Sequence, residues 1–194
     1  MTFAELRQEV ADCGLDHLPA SRINRLVNLA HRRVQSRYDW PWRLTEQTGA
    51  VPLTVTQRGP IRQVLNSAGG VVDEVSEEQL DRIGGLDSPG IAAYYYINPD
   101  GDVTTYPVDS AITVRHYARA TALVAEAESP TIPDEEYHYL IVLDAVRRGK
   151  LENGEAEAAI QYANDYNELL ADLKRDAFNL SIGPRPFNDL NEGS

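Results

Sequence analysis

The chain has 194 residues, with 18 Lys and Arg against 30 Asp and Glu, for a formal net charge of −12. That length fits one domain, or one domain with a sizeable insertion, and is enough to bury a real core. Nucleic-acid affinity comes largely from neutralising phosphates, so such an acidic chain is a poor DNA binder, although it suits the wall of a channel through which DNA slides without sticking.

The acid is unevenly placed. Residues 1–49 hold seven basic and six acidic residues, whereas residues 119–178 hold six and thirteen. Opposed surfaces of that kind permit self-assembly, and a solvated acidic helix face is the simpler reading. Cys13 is the only cysteine, which excludes an intrachain disulfide and suits a reducing cytoplasm. No basic leader precedes an apolar run, and no apolar stretch approaches the roughly 20 residues that cross a bilayer. A soluble, cytoplasmically made protein is expected.

Thr2-Phe3-Ala4-Glu5 has the form of a capping box opening a short helix, with Phe3, Leu6 and Val10 on its apolar face and Gly14 at its end. A second helix is predicted from about Arg22 to Tyr38, with Ser21 as N-cap and Ile23, Leu26, Val27, Ala30 and Val34 at helical spacing. Its other face carries Arg22, Arg25, Arg32 and Arg33. Pro41 biases Trp40 away from helical dihedrals, so the helix stops ahead of Trp40-Pro41-Trp42.

The pattern then changes. Val51, Leu53 and Val55 alternate as a half-buried strand does, and Ile61, Gln63 and Leu65 alternate again. Ser76-Glu77-Glu78-Gln79 is a second capping-box pattern, introducing a short helix closed by Gly84-Gly85. Ala93–Ile97 and Val103–Tyr106 flank the turn Asn98-Pro99-Asp100-Gly101, a hairpin signal, and a third strand runs from Ile112 to Tyr117. From Pro133 the helical pattern returns through Leu140, Ile141 and Leu143 to Gly149. A last long helix follows from around Asn153, carrying Ile160, Ala163, Tyr166, Leu170, Leu173 and Ala177. Beyond Asn179, prolines and glycines leave an extended tail.

This order predicts an α+β protein. It is expected to be mainly a helical bundle of N-terminal helices and two long C-terminal helices, with a small antiparallel β insertion and an extended C-terminal tail. The expected segments are 1–49, 50–118, 119–178 and 179–194.

No catalytic constellation stands out, and neither a phosphate loop, a nucleophile elbow nor a zinc-binding His pair is present. His17, His31, His116 and His138 are scattered. Asp134 with His138, and Cys13 with His17, are four apart without a third partner. Asp100-Gly101-Asp102 opens like a calcium loop but lacks the distal glutamate. Not an enzyme, and no catalytic, cofactor or metal residues, is the expectation. Tyr94, Tyr95 and Tyr96 keep one other class open: a small cytoplasmic substrate-binding or regulatory module whose aromatic-rich sheet is the pocket.

Two stretches carry a resemblance. One is Arg22 to Val34 closed by Tyr38-Asp39-Trp40-Pro41-Trp42. The other runs from Tyr96 through Asp100-Gly101, Tyr106-Pro107-Val108-Asp109 and Val114-Arg115-His116-Tyr117 to Pro130-Thr131-Ile132-Pro133 and Tyr137-His138. Together they resemble the head-to-tail connector (adaptor) proteins of the neck of tailed double-stranded DNA bacteriophages, over most of residues 1–178. The resemblance implies a virion protein made in the host cytoplasm, a ring of roughly twelve copies closed by heterologous contacts, a portal protein on one side and the next neck or tail protein on the other. DNA would pass through without sequence-specific binding. It also implies that the tail reaches the portal, with Ile182, Phe187 and Leu190 as apolar anchors. Trp40 and Trp42, with Arg32 and Arg33, are candidate subunit contacts. Each Trp can bury on the order of 200 Å², either in the core of its own chain or against a neighbour.

Overall fold

Thr2 starts the chain's first helix, α1 (Phe3–Asp12), by the expected reciprocal cap: its hydroxyl accepts from the Glu5 amide at 3.3 Å, and the Glu5 carboxylate accepts from the Thr2 amide at 2.7 Å. This computed structural model describes residues 1–181, apart from 77, 80, 81 and 83–88. The chain divides into two compact units, one made of residues 1–42 with the chain from 121 onward, the other of residues 43–120.

In the first unit, α2 (Ala20–Ser36) begins straight after Pro19, and Ser21 lies inside the helix rather than at its cap. Pro19 already has a fixed, extended backbone (φ −58°, ψ 143°), so no side-chain cap is made there. A short 3₁₀ turn (Glu135–His138) leads into α3 (Tyr139–Glu152), followed by α4 (Ala156–Ser181). α3 is the buried centre: Leu140, Ile141, Val142, Leu143, Ala145 and Val146 are all in the core, whose other walls come from Leu6 and Val10 of α1, Leu26, Val27 and Val34 of α2, and Leu170 and Leu173 of α4. Gly149 permits the closest approach, since a Cβ there would collide with Leu15.

The second unit holds six strands: β1 (Leu44–Gly49), β2 (Arg58–Leu65), β3 (Val71–Glu74), β4 (Tyr94–Ile97), β5 (Val103–Tyr106) and β6 (Ile112–Ala118). Their order across one sheet is β1-β6-β2-β3-β4-β5, so the last strand is inserted between the first two. β3 and β4 run parallel (Asp73 beside Tyr94) and all other neighbours are antiparallel. The sheet curls. Leu53, just past β1, exchanges both backbone hydrogen bonds with Val103 on the opposite edge strand, and Gln47 of β1 holds the intervening chain through the Thr54 carbonyl and the Thr56 amide. Its own core comprises Leu53, Val55, Val64, Val72, Ala92, Tyr95, Val103, Ile112 and Val114.

This corrects the expected fold class. The protein is α+β with four α-helices among the described residues and a six-stranded, curled, mixed sheet, not a mainly helical bundle with a small antiparallel insertion. Two features hid the sheet. β1 reads Leu-Thr-Glu-Gln-Thr-Gly with no fully buried position, so it lacks the apolar alternation of a strand. The parallel β3–β4 pair joins segments about twenty residues apart, which no local turn signal encodes. Val51, Leu53 and Val55 are not a continuous strand; Leu53 makes only its isolated bridge. The β4–β5 hairpin is as expected, with Gly101 at φ 91° in its turn. At the second capping box, Ser76 and Gln79 make both reciprocal bonds, while the expected closure at Gly84-Gly85 lies outside the described residues.

Asp109 organises the sheet's loops. Burial alone would raise its carboxyl, but hydrogen bonds from Ser67, Ala92 and Ser110 hold it well below the usual carboxylate range.

In the helical unit, His31 is 1% exposed, and burial pushes its imidazole down to about 4, with repulsion from His138 and Arg32 in the same direction. The folded protein thus keeps the ring neutral where the unfolded chain, titrating near pH 6.5, takes up a proton. Stability should therefore fall as pH drops from about 6.5 toward 4, and His31→Gln should flatten that fall when urea midpoints are compared at pH 7 and pH 5.

Candidate interaction site

The Trp40-Pro41-Trp42 segment forms a short 3₁₀ turn (Pro41–Arg43) after α2. Trp40 is fully buried and donates its indole N–H to the Val34 carbonyl at 2.8 Å, satisfying a carbonyl of the last helical turn. Tyr38 meets it edge-on at 5.0 Å, and Trp42 stacks on it at 4.7 Å with 13° between planes. Trp42 is half-buried and donates to Gln35 Oε1 at 3.2 Å. Its outer face, with Pro41, Pro133, Asp134, Leu173 and Ala177, lines an open apolar groove of about 200 Å³. Of the two candidate tryptophans, Trp40 is held in the core of its own chain and Trp42 reaches a surface.

The two candidate arginines differ in the same way. Arg32 is exposed. Arg33 reaches across from α2 to Asp144 of α3, whose side chain is 1% exposed, at 3.2 Å. Arg147 adds two hydrogen bonds to the same oxygen, at 2.6 and 3.2 Å, and Arg148 Nε makes an ion contact with the other oxygen at 3.3 Å without hydrogen-bond geometry. One carboxylate thus carries three guanidinium groups. Beside it lies a cleft of about 210 Å³ lined by Arg33, Arg37, Asp144, Arg147, Ala163, Tyr166 and Asn167. Arg37 is exposed, and its side chain makes no hydrogen bond or ion pair among the described residues. Tyr166 is 6% exposed and its hydroxyl has no partner. Burial, and then the Asp144 charge, push that phenol upward, so it stays a hydrogen-bond donor.

A second groove, of about 420 Å³, flanks the other side of the α3–α4 pair. Tyr139, Leu143, Tyr162 and Leu169 form its apolar part, and Asp165, Glu168 and Asp172 its acidic part. Sequence reading overlooked Asp144 and the arginine cleft. The available signal was one carboxylate inside the run Leu140–Val146, followed by Arg147-Arg148.

His138, Asp102 and Tyr95 make contacts within their own units. His138 is buried, its Nε2 2.8 Å from the Ile132 carbonyl oxygen, and Tyr137 donates its hydroxyl to Asp176 of α4. Asp102 accepts from Thr54 at 2.7 Å within the hairpin loop. Tyr95, at the centre of the aromatic strand, is buried and donates to Glu74, with burial and that carboxylate pushing it up to about 12. No group of three or more metal-ligating side chains is assembled among the described residues, and no described helix is long and apolar enough to cross a membrane. Ile182, Phe187 and Leu190 lie outside the described residues.

The helical unit thus presents charged and aromatic grooves at its surface. The family model for SU10 adaptor protein matches residues 1–185, and the chain belongs to that family of phage head-tail adaptors. It is accordingly a structural protein of a bacteriophage. No curated protein matches the chain.

Two substitutions separate the tryptophans: Trp40→Ala should cost about 3–5 kcal/mol in chemical unfolding, whereas Trp42→Ala should cost clearly less. Asp144→Ala should cost about 1–3 kcal/mol, because the three arginines it leaves are partly exposed and can rehydrate.

Proposed function

We propose that the protein is a ring-forming subunit of the phage neck, joining the portal vertex to the next neck or tail protein while DNA passes through the ring. The observation that carries this is the family match, which runs through both compact units and into the C-terminal tail. The charge supports it: a chain at −12 lines a DNA path without holding the phosphates. The virion is the place of action. The tail supplies the portal contact, with Ile182, Phe187 and Leu190 as apolar anchors.

Native mass spectrometry and electron microscopy of the chain mixed with its cognate portal test this. The expected product is a closed ring of roughly twelve copies on the portal. A chain that never associates with the portal overturns the reading. Deleting residues 182–194 should abolish portal association, and the thermal midpoint of the shortened chain, measured beside it, separates loss of the contact from loss of the fold. Retained binding would overturn the tail assignment alone.

A further inference from the structure

We propose that the arginine cleft of one copy receives the acidic groove edge of the next, so that neighbouring subunits join head to tail through the two flanks of the α3–α4 pair. The inference rests on the ring reading above and names the surfaces that build the ring.

The cleft is short of negative charge. Arg33, Arg37 and Arg147 line it with a single carboxylate, Asp144, which Arg148 also contacts, in a protein that is otherwise strongly acidic. Asp144 already faces three of them, and the Arg37 side chain has no hydrogen-bond or ion-pair partner among the described residues. The buried, unpartnered Tyr166 hydroxyl adds a neutral donor against the same space. A donor set of this kind is completed by an incoming carboxylate, which guanidinium groups bind with charge-assisted hydrogen bonds. A cleft of about 210 Å³ has room for an acidic side chain.

The same helix offers the complement. On α4, Ala163, Tyr166 and Asn167 line the cleft, while Tyr162, Asp165, Glu168, Leu169 and Asp172 line the acidic groove. The buried stripe of Ala159, Tyr166, Leu170, Leu173 and Ala177 runs between them, so the two surfaces face apart. Asp165 and Glu168 are exposed, and neither forms a salt bridge among the described residues. Tyr139, at 38% exposure, adds apolar contact area beside them. Complementary patches that face apart cannot both engage the same partner copy, so the contact is heterologous and closes into a ring or propagates.

Exchange of charge tests the pairing on the full chain assembled on its portal. Arg37→Glu and Glu168→Arg each replace an exposed side chain, so both variants should keep the wild-type thermal midpoint. Each alone should lower ring occupancy roughly tenfold, as reversed charges meet like charges across the contact. An equimolar mixture of the two variants should restore it, because every junction in an alternating ring then pairs opposite charges. Rising salt should weaken the wild-type ring over the same range.

Wild-type rings with both single variants unaffected, or with no rescue in the mixture, would overturn this interface and leave the ring reading standing. A wild-type chain that binds the portal only as single copies would overturn the ring itself. If Arg37→Glu instead lost affinity for a duplex DNA fragment while assembling normally, the cleft would be a phosphate site and the proposal would fall.

Discussion

Helix α3 is enclosed by protein along most of its length, and that enclosure dictates what its one central carboxylate must do. Asp144 sits four residues into the run from Leu140 to Val146 with its side chain 1% exposed. An unpaired carboxylate there would cost several kcal/mol in lost hydration. It is tolerated because Arg33 reaches it from α2 and Arg147 and Arg148 reach it from the following turn of α3. The pairing sets the register of α2 against α3, and it concentrates cationic groups at one edge of an acidic protein. The cleft proposed as a contact surface is thus a by-product of satisfying a buried charge.

The motifs that carry the family resemblance are joints in the scaffold. Trp40 closes the end of α2 through the Val34 carbonyl, and Trp42 stacks over it. At the return of the chain, His138 holds the Ile132 carbonyl and Tyr137 ties the start of α3 to Asp176 on α4. Asp109 gathers three backbone amides from separate loops of the sheet unit. Each satisfies buried polar groups at a place where the chain changes direction. The surfaces proposed for partners lie elsewhere, on exposed helix flanks and in the last residues of the chain.

The strand order of the sheet depends on contacts that no local pattern encodes. β6 pairs with both β1 and β2 because a segment some fifty to seventy residues downstream slots between them. The two outer strands are then linked through Leu53 and Val103, which buries Leu53 without a strand on either side of it. Edge closure of this sort protects the unpaired backbone of outer strands. It also makes a short, polar segment such as Leu44–Gly49 a strand by virtue of its partner rather than its own residues.

Local physics made much of the molecule legible in advance. The Thr2–Glu5 cap, the 3.6-residue spacing of α2 and α4, the Asn98–Gly101 turn and the stop at Trp40-Pro41-Trp42 all depend on neighbours within a few residues, so the sequence states them directly. The order of motifs pointed to the phage adaptors for the same reason. Tertiary structure alone decided the rest: that β6 lies between β1 and β2, that β3 and β4 are parallel, that Ser21 is not a cap, and that Arg33 and Arg147 converge on Asp144 while Trp40 turns inward. Those outcomes depend on which buried groups find partners across a hundred residues of chain, and burial is a property of the assembled fold, not of any segment read by itself.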